Sequence, residues 1–164
     1  MMATSNAATT YLEHRILNFI FNNNAQVSSA NFGSGNSNGL GSNIYVGLAT
    51  AVSNFDDSTG ESADAGSVSV TEATFGGYAR VQTTAWTLVS PTANQQTAKN
   101  TSAIDFAAKT DSGTQTITHV FINDSSSSSG NNNFLFIGAL DASKTLAEGD
   151  IFRINATNLS IELK

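Results

Sequence analysis

The stretch Phe134 to Lys164 constrains the fold more than any other part of the chain. Three short apolar runs, Phe134–Leu140, Ile151–Ile154 and Leu159–Leu163, are separated by polar segments of turn type, Asp141–Asp150 and Asn155–Asn158. In the last run Leu159, Ile161 and Leu163 share one face, with Ser160, Glu162 and Lys164 on the other. Successive strand side chains point to opposite faces, so this spacing is that of a compact antiparallel β domain.

Composition extends that reading to the whole chain. Charged residues make up 12% of the 164, about half the usual ~25%. The polar surface is built from Ser, Thr, Asn and Gly, which suit strands and turns better than exposed helices. A chain of this length forms one domain and buries roughly 70% of its unfolded surface, so it needs no staples. It has no cysteine, hence no disulfide framework and no thiolate zinc site. Thirteen acidic against seven basic residues give a formal charge of −6. That balance argues against nucleic acid, whose binding rests on Lys and Arg neutralising phosphates, and against an anionic membrane surface. Met1–Thr10 has neither a basic nor an apolar signal region. No apolar run approaches the ~20 residues that span a bilayer. The expectation is a product of the cytoplasm in which it is made.

Along the chain, residues 1–8 read as an N-terminal arm and 9–164 as a single domain. Thr10-Tyr-Leu-Glu13 has the form of a capping box, and Leu12, Ile16, Phe19 and Ile20 follow as one apolar helical stripe. Two occupants fit that stripe: its own domain, or a neighbouring subunit. We take these four residues as a candidate assembly interface. Gln26–Ser42 and Val52–Gly66 read as long loops. Strands are expected at Ile44–Leu48, Val68–Glu72, Tyr78–Val89, Ile104–Phe106, Thr116–Ile122 and the three closing runs. Ser125–Asn133 reads as a polar tip too hydrophilic to pack. About eight strands, one N-terminal α-helix and long polar loops make a mainly β protein, an antiparallel β-sandwich.

Reactive chemistry is sparse. His14 and His119 stand apart and show no metal spacing or triad context. Asp56, Asp57, Glu61 and Asp64 lack the ordered ligand pattern of a calcium loop. Gly33-Ser-Gly35 and Gly76-Gly77 lack phosphate-loop context and read as turn glycines. Asn155-Ala-Thr157 is a chance sequon in a chain this rich in Asn, Ser and Thr. No catalytic residue, metal ligand or cofactor site is assigned.

An ordered set of phrases carries a resemblance. It comprises Tyr11-Leu-Glu-His-Arg-Ile-Leu17, Ile44-Tyr-Val-Gly-Leu-Ala49, Gly76-Gly-Tyr-Ala-Arg-Val81 followed by Trp86, and a closing block. That block holds Ile117-Thr-His-Val-Phe-Ile122, Phe136-Ile-Gly-Ala-Leu140, Ser143-Lys-Thr-Leu146, Gly149-Asp150 and Leu159-Ser-Ile-Glu-Leu163. Spanning roughly residues 10 to 163, the set resembles small structural proteins of tailed bacteriophages, of the tail fibre, minor tail or head decoration type. The inserts Gln26–Ser42 and Ser125–Ser129 depart from the family's more compact pattern. The resemblance implies a virion protein without enzymatic activity. On it rests the first expectation: a capsid decoration or cement protein, a homotrimer bound to the major capsid protein on the outer surface of the head. A tail or neck fibre component or adaptor is the alternative. A carbohydrate-binding module is a third reading, and it would require an aromatic platform or a carboxylate pair in a groove.

Overall fold

A computed structural model describes residues 44–53, 68–83, 86–89, 96–123, 125–127 and 134–163. The expected arm and the candidate interface Leu12, Ile16, Phe19 and Ile20 lie outside them. Ten strands are described: β1 (Ile44–Ser53), β2 (Ser69–Glu72), β3 (Val81–Thr83), β4 (Trp86–Val89), β5 (Gln96–Asn100), β6 (Ile104–Asp105), β7 (Gln115–Asn123), β8 (Phe134–Leu146), β9 (Arg153–Ile154) and β10 (Ser160–Leu163). The protein is mainly β, and every described pairing is antiparallel.

The largest sheet runs β2-β1-β7-β8. One edge of β1 takes β7 along Tyr45–Ala49. Its other edge is shared, with β3 on Ile44–Val46 and β2 on Ala49–Ser53. A second sheet runs β10-β5-β4, and β6 pairs with β9 in a short ribbon. The β-branched and aromatic run of β7 makes it the natural centre of the large sheet, because such side chains fit a pleated surface packed on both faces.

One apolar cluster draws on all three sheets. Val46, Leu48, Ile117, Val120, Ile122, Leu135 and Leu146 come from the large sheet and Ile104 from the β6–β9 ribbon, with Phe106 and Phe152 flanking it. Trp86 and Ile161 of the second sheet pack against the same cluster. A smaller cluster joins Ala49, Phe121, Phe134 and Ile137 of the same large sheet with Val68, just ahead of β2. Ile117 and Val120 would face apart in a regular strand. A register shift between Ile117 and His119 restores them to one cluster, which is the usual effect of a β-bulge.

The structure corrects the sequence reading at several points. Tyr78–Val89 is not one strand. Tyr78–Arg80 is irregular, β3 belongs to the large sheet and β4 to the second. The alternation across this segment therefore spans a change of sheet. The strand Gln96–Asn100 was hidden by its polar composition, yet it is the middle strand of its sheet. Asp141–Leu146, which reads as turn, continues β8 because Gln115–Ile117 of β7 pair with Lys144–Leu146. β1 runs on through Val52 and Ser53, where a loop was expected. In the run Ile151–Ile154 only Arg153 and Ile154 are strand, and Ile151 is 55% exposed.

Candidate functional site

Among the described residues, a dense polar constellation stands where β2, the Gly76–Arg80 segment and the exit from β7 meet. Its position follows from the shared edge of β1. Between the end of β2 and the start of β3, the backbone of Leu48 faces no ladder partner on that side. Tyr78 supplies one: its hydroxyl oxygen accepts from Leu48 N–H at 3.0 Å, and Ala73 N–H donates to Leu48 C=O at 2.8 Å. The same hydroxyl donates to Glu72 Oε1 at 2.7 Å. Burial pushes the Tyr78 phenol well above its usual range, and the Glu72 hydrogen bond adds to that. Tyr78 is thus a fixed donor rather than an acid–base group.

Arg80 completes the constellation. Its Nε and Nη2 reach Glu72 Oε1 and Oε2, each at 2.8 Å, a two-bond fork. Its Nη1 donates to the carbonyls of Ser125 and Ser127, both at 2.9 Å. The guanidinium carbon lies 5.1 Å from the Phe121 ring centre. Only 8% of Arg80 is exposed. A hollow of about 330 Å³ opens beside it, lined by Glu72, Ala73, Thr74, Tyr78, Ala79, Arg80, Ser126 and Ser127. The expectation that Ser125–Asn133 is uniformly unpacked is therefore corrected at its first residues: Ser125 and Ser127 are tied to a buried arginine.

The Gly76–Gly77 turn sets Tyr78 and Arg80 in place. Gly77 has φ +87°, and a Cβ there would lie 2.9 Å from Ala108 C=O. The turn therefore admits little besides glycine. Gly76 N–H donates to Asp111 Oδ1 at 2.7 Å, and Thr110 N–H to Gly76 C=O at 2.9 Å. Buried Lys109 holds Asp111 Oδ1 at 2.8 Å and also donates to Asp111 C=O. Its hydrogen bond keeps the Asp111 carboxyl below the usual range. Rings then continue from Phe75 to Tyr78 to Phe106 to Phe152, with centres 5.3, 6.1 and 5.9 Å apart. Such pairs contribute about 0.5–1.5 kcal/mol each beyond their buried area.

A second opening, about 490 Å³, lies between Leu140–Lys144 of β8 and Ile151–Asn155. Asp105 and Arg153 form an exposed two-bond ion pair beside it. Arg153 holds the Asp105 carboxyl below its usual range.

Half-buried His119 meets Thr118 Oγ1 at 2.7 Å. That hydroxyl donates to Thr50 C=O at 2.9 Å, which leaves the ring proton on His119 Nδ1. Burial lowers the His119 pKa. No group of three or more His, Cys, Asp or Glu among the described residues could hold a metal ion. Among them no helix is long and apolar enough to cross a membrane. His14 and the acidic residues Asp56, Asp57, Glu61 and Asp64 lie outside the described part. The phrase Gly76–Val81 was legible as a motif, but its partners Glu72, Ser125 and Ser127 were not.

The constellation is wholly engaged in joining elements to one another. No curated protein matches the chain. A family model described as Podophage GP4 fiber I protein gp80 matches residues 7–162.

Proposed function

The chain belongs to the family described as Podophage GP4 fiber I protein gp80, a phage structural family of tail-fibre type, and from that membership we propose that it is a fibre component of a tailed-phage particle. The match along nearly the whole chain carries this reading, and it favours the fibre role over the capsid cement that composition and resemblance first suggested. The chemistry is in keeping with a structural part. Arg80, Glu72, Tyr78 and Lys109 are committed to holding loops and strand edges. We read the protein as non-enzymatic, as a virion component, and as self-associating into a homotrimer. We also read the large sheet and the β10-β5-β4 sheet as the two leaves of a sandwich, since residues of both pack on one apolar cluster. Immunogold labelling of intact virions tests the fibre role. Label at the tail is expected. Label spread over the head would instead favour a decoration protein bound to the major capsid protein.

A further inference from the structure

We propose that Arg80 is a latch that fixes the path of the chain as it leaves β7, and that Phe121 and Gly47 form the shelf on which the latch rests. This inference concerns the folded chain alone and does not depend on the fibre reading.

Ser126 and Ser127 are exposed and Ser125 is half-buried. Water could serve their carbonyls, so the bonds from Arg80 Nη1 are not needed to satisfy buried acceptors. A buried guanidinium–carboxylate pair is also a poor source of stability, because desolvation offsets the attraction; its better-attested use is to select one arrangement. Here the fork on Glu72 orients the guanidinium so that Nη1 points at two carbonyls of one turn. The turn closes on itself. Ser125 N–H donates to Asn123 Oδ1 at 2.7 Å, and Ser127 N–H to Ser125 Oγ at 3.3 Å. A lysine carries the charge but not the planar fork, and cannot hold a carboxylate and two carbonyls in this geometry.

The shelf follows from one missing side chain. Gly47 on β1 pairs directly with Phe121 on β7. A Cβ on Gly47 would lie 2.1 Å from Phe121 Cζ and 2.5 Å from Cε2. The far end of the ring therefore fills the space that a side chain at Gly47 would take, and the guanidinium sits against that ring. Phe134 meets it edge-on at 5.2 Å. Any side chain at Gly47 must displace the ring, and with it the support of Arg80. The phrases Ile44–Leu48 and Gly76–Val81, far apart in sequence, thus act on one turn.

Hydrogen exchange read by mass spectrometry tests the latch on the full chain. In Arg80→Lys and in Gly47→Ala, peptides covering residues 123–127 should exchange at least about tenfold faster, while the β7–β8 ladder amides at Gln115–Ile117 and Lys144–Leu146, remote from Arg80 in the same sheet, change by less than about threefold. Glu72→Gln, which keeps the shape but weakens the fork, should fall between wild type and Arg80→Lys. Acceleration of the ladder equal to that of the turn would show that Arg80 only stabilises the domain, and would overturn the proposal. Unchanged exchange at 123–127 in Arg80→Lys would overturn it equally. Should Gly47→Ala fail to fold, Arg80→Lys decides alone, since it leaves the packing at Gly47 untouched.

Discussion

Asn100 is fully buried at the end of β5, and all of its side-chain bonds go to backbone. Its Oδ1 accepts from Leu159 N–H at 2.9 Å, while Nδ2 donates to the carbonyls of Ser102 at 2.8 Å and Asn155 at 2.9 Å. Its own C=O accepts from Thr157 N–H at 2.8 Å, within a turn where Thr157 has φ 67°. One side chain thus shapes the approach to β10. Asn100→Ala strands the N–H of buried Leu159, a loss of about 1–3 kcal/mol. The two carbonyls belong to exposed residues and can turn to water, adding roughly 0.5 kcal/mol each. The expected total is about 2–4 kcal/mol, or a Tm lower by about 5–15 °C for a domain of this size. Urea unfolding followed by Trp86 fluorescence measures it, with an unchanged m-value. Asn100→Asp keeps the acceptor for Leu159 but sets an oxygen against two carbonyls. It should be the worse variant at neutral pH, and its deficit should shrink as acid restores a donor. A loss below about 1 kcal/mol for Asn100→Ala would refute the reasoning, because it would mean that Leu159 N–H finds another partner at no cost.

Acid should destabilise the protein in two steps. The folded pKa of His119 is lowered by burial, so stability present above the unfolded value of 6.5 is lost as pH falls through the folded one. Asp105 and Asp111 are lowered by Arg153 and Lys109, so a second loss, weakened by salt, begins below 3.8; pH-dependent thermal melts would show both. Trp86 is half-buried against the main cluster, and its Nε1 has no partner among the described residues. Trp86→Phe should therefore cost less than about 1 kcal/mol, whereas Trp86→Ala costs about 2–4, as equilibrium unfolding would reveal. Deleting Ser128 and Ser129 should leave Tm within about 2 °C, since loop closure depends weakly on length; deletions that reach Ser127 remove an Arg80 contact and should speed proteolysis of the connection.

The strands that could be read from sequence are those with strong apolar patterning. Ile44–Leu48, Thr116–Ile122, Phe134–Leu140 and Leu159–Leu163 all fall within or against described strands. Gln96–Asn100 could not be read, because Gln96, Thr97, Lys99 and Asn100 leave no apolar alternation, although the strand is paired on both sides. Asp141–Leu146 has turn-type composition, but pairing with β7 overrides local preference. The constellation at Arg80 was half legible. Gly76-Gly77 announced a turn, and the turn is there, with Gly77 at positive φ. The role of Arg80 depends on partners eight residues back and 45 to 47 residues ahead, and no local pattern marks such distances. Buried Asn100 and Lys109 were equally silent, since their burial is satisfied by backbone carbonyls that composition does not record.

The central claim is that this chain is a fibre part and not a coat of the head. Copy number per particle tests it most directly, by quantitative densitometry of purified virions against the major capsid protein. The fibre reading predicts a small fraction of the capsid protein's copy number, in keeping with a handful of appendages. A copy number close to that of the major capsid protein would contradict it.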